Sequence, residues 1–295
     1  MSLLIIGVRE SARFNSIIVI IKLSVILLFI AIGINHINPA NYNPFFPYGW
    51  IGVFKGAAII FFAYIGFDAL TTAAEGVKNP QRTIPIAIMG SLVISSILYI
   101  IVTIILNGIL PYYLFKETAA PVAFAIEQVG VSWASAIISI GALCGITSVL
   151  LVNLFGQTRI FFAMSRDGLL PGTFARIHKS LKTPFRGILI VGSVAAVLAA
   201  FIPITDVVQL VNIGTLAAFI IVSAAVIILR RQQPDIPRPF KAPLVPIIPA
   251  IAIIFCLVLI TELPTITQLR FIIWLAIGLV IYYFYGQNKS HLNEN

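Results

Sequence analysis

The sequence predicts an all-α polytopic membrane protein with about eight transmembrane helices, on three observations. Of 295 residues, 60% are hydrophobic and 10% charged, with a mean hydropathy of +1.05, far from the balance of a soluble domain. Eight windows are apolar over lengths near the roughly 20 residues that a helix, rising about 1.5 Å per residue, needs to cross a hydrocarbon core of about 30 Å. Lysines and arginines alternate with the loops between these windows instead of spreading evenly.

The first span runs from Phe14 to Ile34. It exceeds the usual h-region of a signal peptide, about 7 to 15 residues, and has no small-residue cleavage site, so it is expected to stay in the membrane. The second runs from Val53 to Glu75, behind the aromatic-rich stretch NPFFPYGW (Asn43 to Trp50), which suits an interfacial belt. Pro80 and Pro85 punctuate the turn into the third span, Ile84 to Leu106. The segment Leu110 to Gly130 holds an apolar stretch too short to cross, Ala119 to Ile126, expected to lie as a helix over the outer mouth. The fourth span, Val131 to Phe155, contains GALCGITS (Gly141 to Ser148), whose small and hydroxylated residues permit close helix contact or a polar lining. A short fifth span, Gly187 to Ile202, meets the sixth, Val207 to Leu229, at a tight turn on Pro203, and Leu244 to Thr261 and Phe271 to Tyr285 complete the set.

The charge pattern orients these spans. The net charge of +9 could suggest a nucleic acid partner, but its distribution argues against one. One side collects Arg9, Arg13, Lys78, Arg82, Arg159, Arg166, Arg176, Lys179, Lys182, Arg186, Arg230, Arg231, Arg238, Lys241 and Lys289. The other has only Lys55, Lys116 and Arg270. The positive-inside rule puts the larger group, and with it both termini, in the cytoplasm. Cys144 and Cys256 fall inside spans, where they suit packing rather than a disulfide framework. His36, His178 and His291 are scattered over separate loops and the tail, so no metal and no cofactor is expected.

Two positions do not belong in lipid. Lys22 lies nine residues past Arg13, roughly 13 Å deep at about 1.5 Å per residue. Facing lipid there it would cost at least about 3 kcal/mol, so it should face the bundle interior or a hydrated cavity. Burial disfavours the charged form of an amine, which suits Lys22 to carry an exchangeable proton. A lysine held permanently by backbone carbonyls is the alternative. The stretch FFAYIGFDALTTAAEGVKNP (Phe61 to Pro80) interrupts an apolar run with Gly66, Asp68 and two threonines. A helix unwound around Gly66 leaves carbonyls without intrahelical partners, tolerable at that depth only where they line a cavity. Asp68 could then cap the second half-helix, accepting its orphan N–H groups and meeting its positive dipole end. The carbonyls of Phe62, Ala63 and Ile65 would suit an ammonium group. A glycine kink used only for helix packing would leave the same trace. Glu75 suits an ion pair with Lys78 and Arg82.

Four stretches then come together: FFAYIGFDALTTAAEGVKNPQRTIP, GQTRIFFAMSRDGLLP from Gly156, VNIGTLAAF from Val211 and RPFKAPLVPIIP from Arg238. In this order they resemble the amino acid/polyamine/organocation superfamily of permeases, most closely its bacterial cationic amino acid transporter branch, and RESARFNSIIVIIK (Arg9 to Lys22) resembles that branch's fifth helix. The resemblance implies a leucine-transporter-like inverted repeat, helices one to five against six to ten, with substrate at the midplane between discontinuous helices one and six. The eight spans look like helices five to twelve of a single transmembrane domain: 14–34 ends the first repeat, 53–229 forms the second and 244–285 adds two C-terminal helices. Phe62, Ala63, Tyr64, Ile65 and Gly66 then match the unwound, substrate-contacting part of helix six, with Phe62 at the gating aromatic. Lys22 matches a lysine that replaces a sodium ion in proton-coupled relatives. Gly76 stands where the branch usually has a second acid. On this alignment the first four helices are expected to be lost or to come from a partner chain.

The function expected is proton-coupled amino acid transport across the cell inner (plasma) membrane by alternating access, with an amino acid, a proton and the bilayer as partners and no nucleic acid. A non-transporting membrane subunit or remnant is the alternative. A membrane-embedded enzyme is disfavoured, because no convergent His, Asp or Glu set stands at the interface.

Overall fold

The computed structural model describes residues 1, 4–5, 8–116, 118–178 and 183–287, with backbone alone for 8–10 and 73–76. Lys179, Lys182, Lys289 and His291, together with the side chains of Arg9 and Glu75, lie outside the described residues. Within them the chain is helical and no strand occurs. In order, the helices are α1 (Val8–Gly33), α2 (Gly49–Ile60), α3 (Pro80–Ile109), α4 (Pro121–Gln128), α5 (Ser132–Arg166), α6 (Phe185–Phe201), α7 (Ile204–Gln232), α8 (Ile247–Thr261) and α9 (Thr265–Ile281).

Each of the eight expected spans has its helix, and six stretches among the described residues are long and apolar enough to cross a membrane: Ser11–His36, Gly49–Thr72, Pro80–Ile109, Ser132–Arg166, Ile204–Gln232 and Thr265–Gly286. The helices Phe185–Phe201 and Ile247–Thr261 are apolar but shorter. This is a multi-pass membrane protein. Several helices outrun the hydropathy windows. α5 continues to Arg166, past the expected end at Phe155, because hydropathy marks only the turns that suit hydrocarbon, whereas the helix itself stops where its carbonyls are capped. There Gly168, at φ 83°, lets the N–H of Leu169 reach back to the Met164 carbonyl at 2.8 Å, a glycine-dependent stop.

The chain divides into two compact units, with α3, α5 and α6 contributing to both. One comprises Met1–Pro47, Gly90–Phe162 and Thr173–Gly192. Its core gathers Phe29 of α1, Ile105 and Ile109 of α3, Ala125 and Ile126 of α4, and Ala134 and Ile138 of α5. The short helix expected between Ala119 and Ile126 is present as α4, and Ala125 and Ile126 are fully buried in that core. The loop after α1 closes the end of α3, whose last carbonyls have no intrahelical partners. The N–H of Asn38 donates to the Gly108 carbonyl (2.9 Å). The Asn41 amide donates to the carbonyls of Gly108 and Ile109 (2.8 and 3.1 Å), and the Tyr42 hydroxyl to that of Ile104 (2.8 Å).

The other unit comprises Tyr48–Met89, Ala163–Gly172 and Ser193–Asn295. Its core is Ala58 of α2, Ile213 and Leu216 of α7, Cys256 of α8, and Leu263. Phe61, Phe219 and Phe271 pack on it. At the other end of α7, Arg238 gathers the carbonyls of Leu229, Pro234 and Ile236, so the basic loop is tied to the helix it follows.

Candidate functional site

The second span is broken where its composition changes. α2 stops at Ile60, and Phe61–Tyr64 form one tighter 3-10 turn. Ile65 is extended (φ −63°, ψ 131°), closing that turn with its N–H on the Phe62 carbonyl at 3.2 Å. Gly66 follows at φ +131°, a backbone state that a side chain rarely allows. The chain then resumes as a 3-10 helix, Asp68–Gly76. Its threonines turn inward on the backbone: the Thr71 hydroxyl donates to the Asp68 carbonyl (2.6 Å) and that of Thr72 to the Ala69 carbonyl (2.7 Å). Hydroxyls that compete for backbone carbonyls weaken an α-helix in this way.

Two details differ from the sequence reading. The Asp68 carboxylate accepts the N–H of Gly66 at 3.0 Å. It thereby holds the break from within, rather than capping N–H groups of the segment that follows. The reason is geometric: that segment is a 3-10 helix, and Gly66 turns its own N–H toward Oδ1. The Phe62 carbonyl, expected to be unpaired, takes the Ile65 N–H and keeps one lone pair for a second donor. Phe62 itself is 42% exposed, while Tyr64, Ile65, Gly66 and Asp68 are half-buried and Ala63 is exposed.

α7 braces the break on both flanks. The ring of Phe219 lies 6.1 Å from that of Phe61 and 5.4 Å from that of Phe67, one residue pair on each side of Gly66. Eight residues into α7, the fully buried Asn212 donates its side-chain amide to the carbonyls of Ala58 (2.8 Å) and Ile59 (3.3 Å). An α-helix leaves its last four carbonyls unpaired, and the Phe61 N–H reaches those of Ala57 and Ile59. Asn212 therefore serves the Ala58 carbonyl, which that N–H leaves out, and shares the Ile59 carbonyl with it. The stretch VNIGTLAAF entered only through the family resemblance, and Asn212 was not among the candidate residues. The signal was a side-chain amide eight residues inside an apolar span, since polar side chains within such spans seldom lack a partner or a role.

Lys22 belongs to the other unit, at the middle of α1. Its stem passes α5 at Gly145, where a Cβ would lie 4.0 Å from Lys22 Cδ. One turn along, a Cβ at Gly141 would come within 2.7 Å of both methyl carbons of Val25, and the Ser148 hydroxyl donates to Asn15 Oδ1 at 2.8 Å. The stretch GALCGITS thus lets α1 approach closely and adds one polar tie. Among the described residues the Lys22 amine has neither a hydrogen bond nor an ion pair.

The sequence matches the family described as amino acid permease over residues 1–284. The chain belongs to that family. It is 48% identical over 292 residues to the branched-chain amino acid permease BcaP of Bacillus subtilis, covering 99% of this chain and 63% of that one. A methylthioribose transporter of the same organism is also 48% identical, over 288 residues, 98% of this chain and 62% of the relative. Cationic amino acid transporter 9, chloroplastic, of Arabidopsis thaliana is 39% identical over 224 residues, 76% of this chain and 39% of the relative. The chain thus spans under two thirds of the length of these relatives.

Proposed function

We propose that the chain serves proton-coupled amino acid transport across the plasma membrane by alternating access, with both termini in the cytoplasm. The observation that carries the reading is the backbone opened at Gly66 inside an apolar span, with Ile65 extended and Gly66 at φ +131°. Irregular backbone at that depth is stable only where protein or a hydrated cavity surrounds it. Its carbonyl oxygens are acceptors, which suit the three hydrogens of a substrate ammonium. In this reading Phe62, Ala63, Tyr64, Ile65 and Gly66 contact the substrate, Phe62 closes over its side chain, and Asp68 keeps the segment open.

Lys22 carries the coupling proton. Support comes from an amine at mid-span with no fixed partner among the described residues, since a lysine held by no carboxylate or carbonyl can gain and lose a proton without breaking a structural bond. The substrate carboxylate is met by helices beyond these residues, on the same or a partner polypeptide. Relatives named for branched-chain amino acids and for methylthioribose match equally well. The ammonium argument favours an amino acid, because methylthioribose has no amine. The fifteen basic residues on one side orient the termini.

The test is uptake of labelled leucine, isoleucine, valine, lysine and methylthioribose into proteoliposomes holding the chain together with the helices that meet the carboxylate, with and without an imposed pH gradient. Uptake of an amino acid driven by the gradient is expected. Lys22→Ala should abolish accumulation against the gradient while leaving downhill exchange, and uphill uptake undiminished in that variant would refute the coupling role.

A further inference from the structure

Asn212 spends both amide hydrogens on the place where α2 stops being an α-helix, at 2.8 Å to Ala58 and 3.3 Å to Ile59. Facing two acceptors, only the NH2 side of the amide can point that way, so Oδ1 is turned into the interior. It is buried there and finds no donor among the described residues. A buried amide oxygen left without a donor is costly, so the side chain is retained for its donor side in spite of its acceptor side. In a regular α-helix the Ala58 and Ile59 carbonyls would take the N–H groups of Phe62 and Ala63. Those are the first residues of the segment that contacts substrate in the function proposed above.

We infer that Asn212 is the positioning residue that holds this segment unwound, by occupying the two carbonyls that would otherwise wind it into α2. It touches no substrate and acts through Ala58 and Ile59. The rest of its helix face is organised to the same end. Gln209, Asn212, Leu216 and Phe219 fall on one stripe of α7 at helical spacing. Gln209 Oε1 accepts the hydroxyl of the fully buried Thr267 on α9 at 2.6 Å, Leu216 is fully buried, and Phe219 meets Phe61 and Phe67 across the break. α7 is thereby anchored to α9 above the amide and to both flanks of the break below it, which fixes the amide against the α2 carbonyls. Any movement of α7 along α2 would release them.

Removing the donor leaves the buried Ala58 carbonyl in want of a hydrogen, and in a continued α-helix its donor would be the Phe62 N–H. The inference rests on the proposed site only for the purpose of the open segment; its test does not involve transport. Hydrogen–deuterium exchange is measured on the purified chain in lipid nanodiscs, wild type against Asn212→Leu, following residues 61–66 and, as a folding control, α8. Exchange at 61–66 should slow by about tenfold in the leucine variant, the factor one unpaired buried carbonyl represents, with α8 unchanged. Asn212→Ser, whose hydroxyl serves one carbonyl, should slow it less, and reads the effect alone if the leucine variant does not fold. Unchanged or faster exchange at 61–66 overturns the inference, because a residue that merely packs would loosen its neighbourhood when removed. Slowing shared equally by α8 overturns it too. If exchange slows as expected while transport assays stay silent, the fault lies with the functional reading and not with the role of Asn212.

Discussion

Replacing Gly66 by alanine isolates the backbone from everything else. A Cβ built on Gly66 meets nothing within 4 Å, so the methyl group has room, yet φ is +131°. The cost is therefore conformational and of order 1–3 kcal/mol, the range for a residue forced into a sparsely populated region. The chain could escape only by rotating to negative φ, which would break the Gly66 N–H bond to Asp68 at 3.0 Å and the Ala69 N–H bond to the Gly66 carbonyl at 3.1 Å. Gly90, in the interior of α3, is an internal control, since a Cβ there also meets nothing within 4 Å and its φ is ordinary. Gly90→Ala should gain about 0.5–1 kcal/mol from reduced chain entropy. The two variants should differ by roughly 1.5–4 kcal/mol with opposite signs. Thermal unfolding in one detergent, followed by circular dichroism, should separate them by several degrees at roughly 2 °C per kcal/mol. If both variants shift the same way, or if Gly66→Ala unfolds with the wild type, the break is not sustained by glycine and the argument built on it fails.

Other substitutions probe the remaining contacts. Gly141→Ala places a methyl 2.7 Å from both Val25 methyl carbons and 2.8 Å from its Cβ, so α1 and α5 must part at a cost of about 1–3 kcal/mol. Adding Val25→Ala removes the two methyl contacts but keeps the Cβ at 2.8 Å, so it should recover part of that loss, read as a positive coupling in a double-mutant cycle. Asp68→Ala should lose about 1 kcal/mol of stability, as for other carboxylates that hold a backbone N–H. Asp68→Asn, whose amide oxygen still accepts the Gly66 N–H, should stay within about 0.5 kcal/mol of wild type; equal losses in chemical unfolding would assign Asp68 to charge rather than to this bond.

The eight spans were legible because the signal is a sum over about twenty side chains, each contributing by its own transfer energy whatever the rest of the chain does. The ends were less so. α1 begins at Val8 and α5 runs to Arg166, beyond the apolar windows, since helices continue through the headgroup region on polar residues. Phe62 to Asp68 were legible too, because glycine followed by a carboxylate inside a hydrophobic run contradicts its surroundings on the spot. Which groups meet inside that stretch was not. The Asp68 carboxylate was expected to point forward along the chain and points back to Gly66, a choice made by the 3-10 course of the segment that follows.

By itself, then, the sequence determined that this is a helical membrane protein, where its spans lie, that one of them is interrupted near Gly66, and that a lysine stands in the middle of another. Only the tertiary structure decided what keeps the break open. The amide of Asn212 meets the Ala58 carbonyl across a separation of 154 residues, and Phe219 reaches both Phe61 and Phe67. A hydrogen bond has a range of about 3 Å and a direction. Its partner is therefore chosen by how helices pack, and no local pattern of residues encodes that.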